Sequence, residues 1–143
     1  MHGPARVIRV LALLAGLALV AAAALQARQD SAATPATVME VMTSMTIPAS
    51  DVIFDAASDP PDTDAQWATL RGGAETLAAS GRLLMTDRLA RDTTTWMDRA
   101  RALVMQAEAT VRLADARARD RLDQASDEIY ATCKACHDRY LEP

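Results

Sequence analysis

Four stretches of this chain place apolar residues three and four positions apart, the period of a helix with one buried face. The first carries Val38, Met42, Met45, Ile53 and Phe54 and predicts a helix from about Ala36 to Ala57. Pro48 interrupts it. A proline inside a helix removes an N–H and pushes its ring against the preceding turn, so a kink is expected between Met45 and Ser50. That kink follows Met42 by more than a turn and should leave its side chain undisturbed. Asp59-Pro60-Pro61-Asp62 ends the segment. The second stretch, about Ala65 to Met85, carries Trp67, Leu70, Ala74, Leu77 and Leu84 behind Asp62 or Asp64 as the cap. Gly72, Gly73 and Gly81 weaken it on propensity, but each would let a neighbouring backbone or a bound group come close.

A polar stretch from Thr86 to Asp92 separates the second helix from the third. Asp92 or Thr93 caps the third, whose stripe is Trp96, Ala100, Leu103, Val104, Ala107 and Val111. Neither Gly nor Pro divides it from the fourth. The apolar stripe ends near Leu113, and Asp115, Arg117 and Arg119 put charge on every side of the segment that follows, so the turn is placed there. Asp120 is expected to cap the last helix, which carries Leu122, Ala125, Ile129, Cys133, Cys136 and Tyr140. The fold class is therefore all-α. Amphipathic helices of similar length with short links predict an antiparallel up-down-up-down four-helix bundle. With only five aromatic residues, much of its core must come from Leu, Val, Ala, Met and a bound cofactor.

The beginning of the chain follows a different pattern. Arg6 and Arg9 precede an apolar run from Val10 to Leu25, with small residues around Ala24 and Ala27. This is the order of a secretory signal, so residues 1–27 are expected to be a signal peptide cleaved after Ala24 or Ala27. The alternative is an uncleaved anchor, although the run is shorter than the ~18 residues usually read as spanning. Residues 28–35 read as a linker and 36–143 as the helical domain. Beyond residue 27 there are nineteen acidic and thirteen Lys or Arg residues, a net of about −6. That charge argues against nucleic acid and anionic membrane as partners. It is compatible with a basic patch on another protein.

Near the other end stands Cys133-Lys134-Ala135-Cys136-His137. Two cysteines separated by two residues and followed by histidine form the attachment signature of c-type haem. The thiols add to the porphyrin vinyl groups and the imidazole becomes an iron ligand. On a helix all three side chains share a face, and Ile129 and Tyr140 fall on it too. Structural zinc needs four Cys or His ligands, and the sequence holds only Cys133, Cys136, His137 and His2. A thioredoxin-like motif would need a preceding strand pattern, which is missing. One covalent haem c is thus expected, with Cys133 and Cys136 as attachment points and His137 on the iron. Export agrees, because bacterial haem of this type is attached outside the cytoplasm; the expected location is the periplasm.

Six residues follow His137 and none is methionine, so a second protein ligand must come from upstream. Once the signal is removed no other histidine remains, and a methionine thioether is the strong-field candidate. Met39, Met42 and Met45 crowd one turn and a half, with Met42 sharing a face with each of the others. Met42 is the central candidate; Met39 and Met45 stay open, as does the reading of all three as adaptable core fillers.

With these residues in view, the chain resembles the class II cytochromes c, the cytochrome c′ type, over residues 36–141. The closest likeness is Ile129-Tyr130-Ala131-Thr132-Cys133-Lys134-Ala135-Cys136-His137-Asp138-Arg139-Tyr140. Thr37-Val38-Met39-Glu40-Val41-Met42, Ile47-Pro48-Ala49-Ser50-Asp51, Trp67-Ala68-Thr69-Leu70-Arg71 and Leu83-Leu84-Met85 are similar to a low-spin-leaning periplasmic subgroup. The resemblance implies a haem inside the bundle and a methionine at the position of Met42 on its distal side. Two family features differ: Leu141 stands where a basic residue often follows the haem histidine, and Val38 where an arginine often precedes the distal residue. Arg71, beside Leu70, is a candidate partner for a haem propionate, or else a solvated surface arginine.

Three functions follow from a single haem. Iron bound by His137 and Met42 predicts single-electron transfer with a redox partner protein. Five-coordinate, high-spin iron with Met42 only packed nearby predicts binding of a small gas such as nitric oxide or carbon monoxide. Haem could also serve mainly to stabilise a binding module, and a homodimer stays open. Enzyme activity is not expected, because a peroxidase-like site needs an acid-base group beside the iron and no second histidine supplies one.

Overall fold

The structure, a computed structural model, describes residues 37–141. The expected signal peptide of residues 1–27, its cleavage points and the expected linker of residues 28–35 lie outside the described residues. The described residues form four helices and no strand. Helix α1 consists of three abutting segments: α-helical Val38–Val41, π-helical Met42–Thr46 and α-helical Ile47–Ser58. Helix α2 is Asp64–Leu84, α3 is Thr95–Ala116 and α4 is Leu122–Tyr140, the last entered through a 3₁₀ turn at Arg119–Arg121. None of these helices is long and apolar enough to cross a membrane.

Local chemistry explains most boundaries. Thr37 and Thr63 both form capping boxes, with Glu40 and Gln66 reaching back to the cap backbone. Thr63, not Asp62 or Asp64, is therefore the cap of α2. At the start of α3 the Asp92 carboxylate accepts the Thr94 and Trp96 backbone N–H groups at 2.9 and 3.0 Å, although Thr94 is the flanking residue. Helix α3 ends at Arg117, which takes φ 51° and ψ 42° without being glycine. Two bonds close that end, from Arg117 N–H to the Ala114 carbonyl and from Ala118 N–H to the Leu113 carbonyl. Asp120 caps nothing: the 3₁₀ turn leads into α4 through Arg121, which makes no side-chain cap.

Pro48 acts earlier than its position suggests. The irregularity lies on its N-terminal side, where the helix widens to π geometry over Met42–Thr46 and the Ile47 N–H bonds to the Met42 carbonyl. A proline ring crowds the carbonyls one turn before it, and a wider turn relieves that contact. The distortion therefore begins at Met42, upstream of the kink expected between Met45 and Ser50.

Each helix packs against two others: α1 on α2 and α4, α2 on α3, and α3 on α4. The core between them holds Val41, Ile53, Leu70, Leu77, Leu122 and Ile129, all essentially inaccessible. Burying an aliphatic side chain of this size contributes about 1.5–3 kcal/mol. Helices α2 and α3 approach most closely where Gly81 faces Val104; a methyl group there would lie 2.8 Å from Val104 Cγ2. Gly73 plays the same part against α1, where a methyl would lie 2.9 Å from Val52 Cγ1, while Gly72 meets nothing. Two of the three glycines thus serve helix contact.

Candidate functional site

Helix α4 carries the CxxCH motif in its last two turns. Its hydrophobic face begins at Leu122, Ala125 and Ile129, which are buried, and continues to Cys133 and Cys136, which are half-buried free thiols. His137 follows on the same face and is exposed. Burial holds both thiols above the ordinary cysteine range; the neighbouring Cys136 adds to this at Cys133, whereas Arg99 works against it at Cys136. Lys134 between them is exposed and pairs with Asp138 at 2.6 Å.

Cys133, Cys136 and His137 open onto a cavity of about 510 Å³. Helix α1 forms another wall with Met39, Met42, Thr46, Ile47, Ser50 and Phe54, and Leu84, Trp96, Ala100 and Leu103 add apolar surface from α2 and α3. The size falls within the roughly 300–1,000 Å³ usual for cofactor sites, which are mostly apolar with a few placed polar groups. Its rim is unusual. Met39, Ile47, Tyr130 and Leu141 all border the cavity and are 64, 51, 61 and 63 % exposed. Large apolar side chains grouped around one opening mark a surface suited to being covered.

Trp96 and Tyr140 support the wall from behind. The Trp96 indole N–H donates to the Leu84 carbonyl at 2.6 Å, and its ring meets Tyr140 edge-on with centroids 5.0 Å apart. The Tyr140 hydroxyl donates to Asp92. That bond and the Trp96 backbone N–H lower the Asp92 carboxyl to about 2, while burial raises the Tyr140 phenol. One side chain thus fixes the start of α3 to the end of α4 three residues beyond His137.

The cavity brings together Cys133, Cys136, His137 and Met42, although the methionine stands some ninety positions upstream. Of the three clustered methionines, Met39 and Met42 line it and Met45 is not among its lining residues. Met42 is half-buried against the core, whereas Met39 is mostly exposed. Arg71 is placed elsewhere: its guanidinium pairs with Glu75 and Asp115, each at 2.9 Å, and it does not line the cavity. Arg99 on α3 does line it. Its sequence position was informative, three after Trp96 and one before Ala100 on the apolar stripe, but reading that stripe for core residues passed over it.

Thr46 is the other residue sequence reasoning missed. It is 5 % exposed, lines the cavity, and its hydroxyl has no hydrogen-bond partner among the described residues. A buried hydroxyl left unpaired costs about 1–3 kcal/mol. Among the described residues no three His, Cys, Asp or Glu side chains converge as a metal site. The cavity instead offers two thiols, an imidazole and a thioether around apolar walls, which are soft and borderline donors suited to iron held in a flat macrocycle. Comparison with protein-family models, curated proteins and solved structures finds no match for this chain.

Proposed function

We propose that the chain is a c-type cytochrome carrying one covalent haem c in the cavity between α1 and α4, and that it transfers single electrons. One observation carries this reading: both cysteines and the histidine of CxxCH line the same apolar cavity as Met42. The exposed apolar rim supports it, since a bound macrocycle would cover those side chains. Cys133 and Cys136 would hold the group through thioether bonds formed as their thiols add to its vinyl groups, and His137 and Met42 would bind its iron. Arg99, rather than the ion-paired Arg71, is the arginine at the cavity that could meet a propionate; Lys134 lines it too but pairs with Asp138.

Haem, when bound, supplies a one-electron iron couple. The protein's contribution is to hold the iron environment constant across both oxidation states. A thioether from Met42 favours the reduced form and raises the potential. Phe54, Trp96 and Leu103 exclude water from the walls, which limits solvent rearrangement when charge changes. An exported protein with a cleaved N-terminal segment, a periplasmic location and a redox partner complete the proposal. So does an antiparallel up-down-up-down bundle of the class II cytochrome c type, supported by the cyclic order of helix neighbours. A second reading, five-coordinate iron that binds a small gas with Met42 only packed nearby, is favoured by the largely apolar lining of the cavity.

The deciding experiment is expression with export and haem-attachment machinery, followed by denaturation in acid and organic solvent. Haem should stay on the unmodified protein and be lost from Cys133→Ala/Cys136→Ala. A low-spin ferric spectrum is expected; a high-spin one would transfer the assignment to gas binding. Haem that extracts freely from the unmodified protein would refute covalent attachment.

A further inference from the structure

Two aromatic side chains belong to two hollows at once. Phe54 on α1 and Tyr130 on α4 line the cavity that holds the CxxCH motif, and both also line a groove of about 640 Å³ between α1 and α4. Ala57 adds to its apolar floor, Asp123 and Asp127 stand on its α4 side, and no Lys or Arg lines it. Charge is distributed unevenly around the bundle. On α2 and α3 carboxylates are answered by arginines, as in Arg71–Asp115 and Arg82–Glu108. Asp123 and Asp127 have no ion-pair or hydrogen-bond partner among the described residues. Residues 38–58 and 122–133 contain neither Lys nor Arg, while Asp51, Asp55, Asp123 and Asp127 are exposed along them. Tyr130 itself is 61 % exposed. An exposed tyrosine over an apolar floor with charge at the edge is the make-up of a protein contact, where aromatic residues anchor the centre and polar groups form the rim.

We propose that this groove docks the redox partner protein, which presents Lys or Arg side chains to Asp123 and Asp127 and an apolar side chain to Phe54 and Tyr130. The inference rests on the haem reading of the neighbouring cavity and adds the partner's chemistry, a basic patch around an apolar contact. Charge complementarity selects that occupant. A second copy seated by the same face would set these carboxylates against their like, which is unfavourable. A field of one sign also steers a basic partner towards the groove and raises its rate of encounter. Placement suits electron transfer, because a partner seated there rests on the same two rings that wall the cavity.

The test uses the exported holoprotein and, as the probe, a lysine-rich class I cytochrome c. Affinity is measured by titration calorimetry at low ionic strength, and contact by the shift of the Tyr130 ring resonances as the probe is added. Asp123→Asn/Asp127→Asn should weaken binding by about 3- to 10-fold. Glu75→Gln/Glu108→Gln removes the same charge from α2 and α3 and should leave affinity unchanged. Ser126→Arg, which places a cation in the groove, should weaken binding at least as much as the first pair. All differences should shrink towards 1 M salt, where the Debye length is about 3 Å. Equal affinities in the two double variants, or no binding of the probe to the unmodified protein, would overturn the proposal. Denatured haem content is measured first: a protein without covalent haem overturns the parent reading and this one with it, whereas a haem-loaded protein whose groove variants bind like the unmodified one overturns this inference alone.

Discussion

The contact between α2 and α3 and the wall shared by α1 and α4 are built by opposite rules. Between α2 and α3, Gly81 lets the helices close on Val104, and Leu70, Leu77, Leu103 and Ala107 are buried. The buried hydroxyls there, Ser80 and Thr110, both donate to carbonyls of their own helix at 2.8 and 3.0 Å. At the α1–α4 wall large apolar side chains are exposed, a threonine hydroxyl is unpaired and the helix departs from α geometry. One region satisfies its own groups, while the other leaves groups suited to something else. Close packing and the open cavity therefore fall on different faces of the same four helices.

If that division holds, truncation should cost far more on one side than on the other. Leu77→Ala removes a fully buried side chain and should destabilise by about 2–5 kcal/mol in denaturant unfolding. Ile47→Ala, on the exposed rim, should cost within about 0.5 kcal/mol in haem-free protein. Comparable losses at the two positions would break the contrast.

Spectroscopy should reverse that order. Met42→Ala is expected to convert low-spin ferric iron to high spin, lower the reduction potential and speed carbon monoxide binding. Met45→Ala, whose side chain is not on the cavity, should leave all three unchanged. Loss of the low-spin signal in Met39→Ala alone would show that the neighbouring methionine is the ligand.

A smaller effect is expected at the brace that joins the two regions. Trp96→Phe removes the indole donor to the Leu84 carbonyl while keeping an aromatic ring against Tyr140. It should cost about 1–2 kcal/mol, mostly from the carbonyl left without its partner.

The smallest concerns acid. Asp92 titrates near 2 in the folded chain against an ordinary 3.8, first because of the Tyr140 hydroxyl and then the Trp96 backbone N–H. A carboxyl lowered on folding contributes stability that is fully present above its unfolded value and disappears as pH falls through its folded one. That contribution should fade from about pH 4 towards pH 2. Asp92→Asn should flatten this part of the acid-unfolding curve and lower stability in the neutral range, where the carboxylate's contribution is fully present. A curve unchanged in shape would show that the brace is not held by this carboxylate.

Turns and sites were legible to different degrees. The four apolar stripes located every helix to within a few residues, because burial of one face requires that period whatever the partner. Caps were harder. Acidic residues at 62, 64 and 120 looked like caps, yet Thr63 holds α2 through its reciprocal bond with Gln66 and Asp120 holds nothing. Several Asp and Thr residues lie within reach at each end, and the backbone angle of the flanking residue decides among them. The turn after Leu113 was placed correctly from charge alone. Its means, a left-handed arginine, left no mark in residue type.

The candidate site divides the same way. The spacing of Cys133, Cys136 and His137 determined by itself that three chemically distinctive side chains would share one helical face, since helical geometry is local and needs no partner. The apolar periods likewise determined four helices and no strand among the described residues. Tertiary structure decided which distant residues meet that face: Met42 and Arg99 line the cavity, while Arg71 is drawn into a pair of carboxylates on the other side of α2. It also decided that the helix would widen one turn upstream of Pro48 and that the buried Thr46 hydroxyl would find no partner among the described residues. Those outcomes depend on which neighbour competes for each group, and competition between residues far apart in sequence is settled only when the helices pack.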